Sequence, residues 1–299
     1  MTKLISLLTI ALTFLSTATF AETLKVASWN IAWLGSHEYN QRKDADYQKL
    51  ARYARELDAD VIALQEVESA KWAKKVFGDE YDYFFTTKDW VQRVGVAVRK
   101  SSGYKATAIE YRELDQGLAR RGMDVTLTKD GKSIRLLAVH MKSGCFDKAL
   151  DQTSITKMPS SNEKEQYAKI ACAELAKQAK PLEAWIDARA TEGVPFILLG
   201  DFNRRFVKDI SLNYSEVQGL WQTIDDTGAE ALWAPTINAE SQCWGGYYKD
   251  YIDHIIFDPK AKARYVENSF SQLVFDAKYT RELSQTLSDH CPISVELVL

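Results

Sequence analysis

The stretch Phe196-Ile197-Leu198-Leu199-Gly200-Asp201-Phe202-Asn203 decides how the rest of this chain is read. Four consecutive apolar residues lack the alternation of a half-exposed strand and read as a central strand covered on both faces. They run into what reads as a glycine turn, which presents a carboxylate and an amide two positions apart. In extended backbone such residues project the same way, so Asp201 and Asn203 are expected to share a face. That pair suits orienting a water and donating to a phosphate oxygen, and it suits an ordinary Asx turn at a strand exit equally well.

Outward from this segment, short runs rich in β-branched and apolar residues recur at Leu24 to Trp29, Val61 to Leu64, Val94 to Val98, Met123 to Leu127, Ile134 to Val139, Tyr251 to Phe257 and Ile293 to Leu297. Leu50, Ala54 and Leu57 fall on one face of a helix. Tyr167, Ile170, Leu175, Leu182 and Trp185 mark a longer one, which Pro181 is expected to kink or split. Strands and helices alternate unevenly, which points to a mixed α/β sandwich rather than a regular barrel. Polar residues stand where apolar runs stop: Asn30, Glu66, His140 and Asp201. If those ends cluster, they form an acidic, imidazole-bearing pocket at one edge.

Hydrolysis of a phosphodiester needs charge neutralisation on the phosphoryl oxygens, a positioned water and help for the leaving oxygen. Glu66 is an acid of the kind that holds a hard cation through oxygen. Asp289 and His290 place a carboxylate beside an imidazole that titrates near neutrality, and Asp253 is an acid able to fix that imidazole's tautomer. His140 offers a second imidazole. His254 points the opposite way from Asp253 along a strand and reads as structural. Trp244, Tyr247 and Tyr248 flank Gly245-Gly246 in a loop, where packing accounts for them more simply than stacking on a base.

Lys3, an apolar run from Leu4 to about Leu15 and the small-residue end Thr19-Phe20-Ala21 have the layout of a secretory signal peptide. Cleavage is expected after Ala21, leaving one domain over 22–299 in a periplasmic or secreted protein without stable membrane insertion. The 46% hydrophobic content supports a substantial core. Net charge is -3 and falls to about -4 once Lys3 leaves with the leader, so no global basic field holds nucleic acid, and a phosphate must be met locally by metal or a few cations. The four cysteines allow three pairings. Cys145 with Cys172 would tie a loop to the following helix, and Cys243 with Cys291 would sit close to the catalytic segments. No C-x-x-C spacing supports a thiolate zinc site.

The ordered series Ser28-Trp29-Asn30, Gln65-Glu66, Val139-His140-Met141-Lys142-Ser143, Gly200-Asp201-Phe202-Asn203, Ile252-Asp253 and Ser288-Asp289-His290 resembles the endonuclease/exonuclease/phosphatase superfamily, to which pancreatic-type deoxyribonuclease belongs. The resemblance spans the whole mature chain. It implies a four-layer α/β/β/α sandwich of two mixed β-sheets flanked by helices, and metal-assisted in-line attack on phosphorus with magnesium, manganese or calcium. Glu66 would be the principal metal ligand, with Asn30 and Asp289 nearby. Asp201 and Asn203 would position water and phosphate, His290 with Asp253 would stabilise the transition state, and His140 would sit near the scissile phosphate. Arg121 would add a substrate-binding cation, with Arg120 an equally good candidate. Abasic-site endonucleases of this superfamily carry an acid where this chain has Ala32, which argues against a repair role. The implied substrate is nucleic acid, with a lipid or small-molecule phosphoester as the alternative; no protein partner is predicted.

Overall fold

A computed structural model describes residues 22–38, 41–88, 91–117, 119–153, 162–226, 228 and 231–299. The leader expected at residues 1–21 lies outside the described residues. The strands are β1 (Thr23–Leu34), β2 (Val61–Val67), β3 (Tyr81–Phe85), β4 (Arg93–Arg99), β5 (Lys105–Tyr111), β6 (Gly122–Lys129), β7 (Lys132–His140), β8 (Phe196–Asp201), β9 (Asp253–Phe257), β10 (Ser271–Gln272) and β11 (Ile293–Val298). The helices are α1 (Asp44–Leu57), α2 (Ala70–Phe77), α3 (Asn162–Glu192), α4 (Phe206–Ser211), α5 (Leu220–Ile224), α6 (Pro259–Lys262) and α7 (Arg281–Thr286). One sheet has the order β10-β11-β1-β2-β4-β3 and the other β5-β6-β7-β8-β9, and both mix parallel and antiparallel pairs.

Side chains alternate between the two faces of each strand, and the continuous apolar runs feed two cores at once. Val26, Val61, Ala63, Leu136, Ala138, Ile197, Leu199, Ile255 and Phe257 meet between the sheets. Their sequence neighbours Ala27, Ile62 and Leu64 pack outward with Leu50, Ala54 and Leu57 of α1. Leu137, Val139, Phe196 and Leu198 pack outward on the other side, with Leu175, Leu182 and Trp185 of α3. Helix, sheet, sheet and helix therefore form four layers, as expected.

Gly200 is not in a turn: it is a strand residue of β8, opposite Val139 and His254. A Cβ there would lie 2.0 Å from the Val139 carbonyl oxygen, and φ is +145°, so close strand approach is what demands glycine. Pro181 does not split α3, which runs 31 residues with the proline inside. The lost main-chain hydrogen bond is outweighed by the α3 residues buried against the sheet. Of the residues that mark this helix in the sequence, Tyr167 and Ile170 are exposed, whereas Leu175, Leu182 and Trp185 are buried. β3, β5 and β10 are additional strands, and Tyr251 and Ile252 precede β9 instead of opening it.

Candidate active site

The two-residue period of the strands assembles the site. Val26 and Asn30 share a face of β1, Ala138 and His140 of β7, Leu199 and Asp201 of β8, and Asp253 and Ile255 of β9. All four faces look into the space between the sheets. Where the apolar residues end, His140, Asp201 and Asp253 line one mouth of the sandwich, in an open cleft of about 570 Å³, while Asn30 is buried and does not line it. Glu66 is out of phase, sharing parity with the outward Ile62 and Leu64. A register break between Gln65 and Val67 and a left-handed φ of 61° at Glu66 bring its carboxylate into the cleft instead.

Asn30 bridges two carboxylates across the sheets: its Nδ2 donates to Asp201 Oδ2 at 3.0 Å and to Glu66 Oε1 at 3.3 Å. Its Oδ1 accepts from the Ala32 amide. Asp201 Oδ1 accepts from the Asn203 amide at 2.8 Å, so the Asx turn and the site are the same feature. Asn203 does not continue the extended strand; its φ is 50°, and its Nδ2 donates to Met141 O at 3.2 Å. Burial pushes Asp201 up to about 7; nearby His290 opposes that rise and Asp253 adds to it. Burial likewise raises Glu66, against the pull of Arg120.

His290 Nδ1 meets Asp253 Oδ2 at 2.7 Å, which leaves Nε2 facing the cleft, 3.8 Å from Asp201 Oδ2 and 4.0 Å from Asp289 Oδ1. Burial works against the charged ring, yet Asp253, Asp289 and Asp201 outweigh it and hold His290 well above its ordinary value. His140 is the opposite case. Its Nε2 lies 3.4 Å from Asp201 Oδ2 and 3.7 Å from Glu66 Oε1, but burial, reinforced by Arg120 and His290, holds it well below its ordinary value and so neutral. Two imidazoles with opposite charge states therefore flank one carboxylate.

Arg121 is not in this cleft. It pairs with Glu110 at 3.0 Å and Asp115 at 3.2 Å, while Arg120 lines the cleft, bound to Gln92 Oε1 at 2.6 Å and Met141 O at 3.2 Å. Adjacent residues at a strand entrance point to opposite sides, so sequence could not separate them. His254 is structural as expected. Its Nε2 donates to Arg204 O at 2.8 Å, its Nδ1 lies 2.6 Å from Thr236 Oγ1, and burial pushes it down to about 3. Trp244 is buried and donates to Ser288 O, whereas Tyr247 and Tyr248 are exposed at the cleft mouth. Both disulfides, Cys145–Cys172 and Cys243–Cys291, form as favoured from sequence. The second one fixes the residue directly after His290.

Sequence reasoning missed Arg42. Its guanidinium donates to Ile31 O, Ala32 O and Trp33 O after Asn30, and to Thr286 O and Leu287 O before Asp289, at 2.6 to 3.3 Å. It thus clamps together the two segments that carry Asn30 and Asp289. Burial lowers it to about 10, which leaves it charged at neutral pH.

Carboxylate oxygens dominate the cleft, and this donor set suits a hard divalent cation. Asp253 Oδ1 is shielded from solvent and has no hydrogen-bond partner among the described residues. Asp201, Asp253 and His290 each offer one ligand atom, all within 4.8 Å of one another. A two-sheet sandwich with carboxylates and a carboxylate-bound imidazole at one mouth defines a phosphoesterase of the layered α/β class. The chain belongs to the Endonuclease/Exonuclease/phosphatase family, whose model matches residues 27–290, and it is a hydrolase of that superfamily.

Among solved structures, humanized D. rerio TDP2 carrying 14 mutations is 17% identical, covers 92% of this chain and 98% of its own, and superposes with a TM-score of 0.58. The AP endonuclease LMAP from Leishmania major is 15% identical over 93% and 88%, with a TM-score of 0.56. D. rerio TDP2 complexed with a single-strand DNA product is 19% identical over 92% and 98%, with a TM-score of 0.52. No curated protein sequence matches this chain significantly.

Proposed function

We propose that this protein is an exported, divalent-metal-dependent nuclease that hydrolyses phosphodiesters of DNA or RNA. The observation that carries the reading is the convergence of Glu66, Asp201, Asp289 and the His290–Asp253 pair on one open cleft. The solved relative holding a single-strand DNA product supports nucleic acid as the substrate class. The two disulfides are compatible with an oxidising compartment, and among the described residues no helix is long and apolar enough to cross a membrane.

Glu66, with Asn30 and Asp289 beside it, is the side of the cleft that would hold the metal. In the Asp201, Asp253 and His290 trio the imidazole is charged and its Nδ1 is engaged by Asp253, so it is a poor ligand. When bound, magnesium, manganese or calcium would neutralise charge on the phosphoryl oxygens. Asp253 fixes the His290 ring so that Nε2–H donates into the cleft, towards an oxygen of the scissile phosphate. Asp201, with a pKa near neutrality, is able to accept a proton from the attacking water. Asn30 holds that carboxylate in place, and Asn203 anchors its other oxygen. Arg120 supplies a fixed cation for the phosphate, and His140 presents a neutral N–H beside Asp201.

The test is incubation of the purified chain from Glu22 with plasmid DNA and with RNA, in magnesium and then in EDTA. Metal-dependent cleavage of either polymer is expected, and failure to cut both would sink the nuclease reading. Release from sphingomyelin or a phosphoinositide with nucleic acids left intact would point to the lipid phosphoesterase alternative. The export reading is checked by sequencing the N-terminus of the protein recovered outside the cytoplasm, which should begin at Glu22.

A further inference from the structure

Glu66, Tyr248 and Asp289 have a pocket on either side of them. On one side is the catalytic cleft; on the other is a smaller pocket of about 210 Å³, walled by Trp33, Tyr248, Tyr279 and Arg281. The two carboxylates therefore stand on a saddle, not at the blind end of a cavity. A phosphomonoester needs one pocket that ends at the phosphate. A substrate that continues beyond the reacting phosphorus needs two.

The walls show which chemistry would continue. Tyr247 lies flat on Tyr279, with centroids 4.1 Å apart and planes at 9°, and Tyr248 meets both edge-on at 4.8 and 6.1 Å. Tyr247 is 61% exposed and Tyr248 41% exposed. Three rings braced against one another at a cleft mouth have little rotamer freedom left to lose, and the exposed ring of Tyr248 stands as a separate wall, perpendicular to the Tyr247–Tyr279 stack. Trp33 adds an indole and Arg281 a cation. Aromatic faces with an adjacent cation hold single-stranded nucleic acid, the base by stacking and the backbone by charge. The pocket is smaller than the roughly 300 Å³ lower bound for drug-sized ligands and suits a single ring system. A base inside an intact duplex does not expose its face to such a wall.

We propose that this second pocket takes an unpaired nucleobase next to the scissile phosphodiester, stacked on Tyr248 and Trp33, with Arg281 meeting the adjoining phosphate. The chain then cuts within single-stranded nucleic acid. The inference rests on the nuclease reading and names its substrate.

The experiment gives the purified protein, in magnesium, a circular single-stranded DNA, the same strand linearised, the duplex form of the circle and the small diester bis(4-nitrophenyl) phosphate. The circle should be opened, with kcat/KM at least about tenfold above that for the duplex. Tyr248→Ala should raise KM for the single strand by about tenfold, with a smaller change in kcat, and lower the preference over the small diester by a similar factor. Tyr248→Phe should preserve that preference. Arg281→Ala should raise KM and flatten its salt dependence. If Tyr248→Ala cuts single strands with an unchanged KM, the stacking pocket is wrong while the nuclease reading stands. An intact circle beside rapid loss of linear strands would overturn the two-sided groove. Hydrolysis of the small diester with no cleavage of any nucleic acid would overturn both readings.

Discussion

His290 Nδ1 lies 2.7 Å from Asp253 Oδ2, and that contact, like the one from Asn30 to Asp201, joins the two sheets at the mouth of the cleft: Asp253 opens β9 of one sheet, and His290 stands just before β11 of the other. The same hydrogen bond orients the ring, aims Nε2–H at the substrate and helps keep the ring charged. Geometry and protonation state thus depend on one pair, so both should change together when it is broken.

Asp253→Asn removes the charge and keeps the shape. His290 then falls back towards its ordinary value. Because the working form is the cation, activity is retained below the imidazole's pKa and lost as pH rises through it. The alkaline limb of kcat/KM should therefore move to lower pH by at least about one unit, with kcat at neutral pH down about a hundredfold or more. A pH profile with an unmoved alkaline limb would show that His290 does not act as this cation.

Glu66→Gln separates metal binding from folding. Burial raises the Glu66 carboxylate, so without metal its charge destabilises the folded chain near neutral pH, and the penalty is relieved as the group protonates. The metal-free variant should accordingly melt at or above the wild-type temperature. Magnesium at about a hundred times its Kd should stabilise wild type by about 2.7 kcal/mol and the variant by far less. Equal thermal shifts in the two proteins would place the metal elsewhere.

Arg42→Lys tests the clamp that joins the segment after Asn30 to the one before Asp289. An ammonium cannot reproduce a fork that serves five carbonyl groups on two segments. Stability should fall by about 2–4 kcal/mol, because buried acceptors lose charged partners. Turnover should fall by about tenfold or more as the two segments loosen, even though Arg42 touches no substrate. Urea denaturation together with steady-state kinetics checks both effects, and a variant that loses stability with kcat intact would reduce Arg42 to a purely structural role.

The difference between what sequence disclosed and what it hid follows from locality. Phe196 to Leu199 disclosed a doubly covered strand because both neighbours of every residue are apolar, and that property is written along the chain. Asn30 and His140 were legible because each directly follows an apolar run, Glu66 and Asp201 because each stands one residue beyond one, and Asp253 because it interrupts one. β5 was not read: it is an edge strand with Ile109 67% exposed, so it lacks the apolar density of a central strand. Arg42 left no trace because its hydrogen-bond partners among the described residues are main-chain carbonyls, which have no residue code. Arg120 and Arg121 differ only in which way they face, and that is set by β6 and the loop before it. Glu66 has the wrong parity, and only the break at its own backbone explains how it reaches the cleft.

His254 supplies a prediction about acid stability that is independent of catalysis. Its ring is neutral and fully bonded: Nε2–H donates to Arg204 O, Nδ1 accepts from the Thr236 hydroxyl, and the Phe206 ring lies 4.2 Å away. The folded value near 3 is below the ordinary 6.5, so the unfolded chain takes up a proton across that window and the folded chain does not. The stability this provides is complete above about pH 6.5 and is lost as pH falls towards 3. By pH 4.5 the loss should be about 2–3 kcal/mol. Glu66 and Asp201 titrate with the opposite sign, which is why wild type alone is a poor readout. His254→Gln keeps those groups and removes only the imidazole. In urea titrations it should be less stable than wild type at pH 7 by about 1–3 kcal/mol, and the gap should shrink by pH 4.5. A gap that stays constant over that range would mean that the His254 ring is not held neutral by the fold.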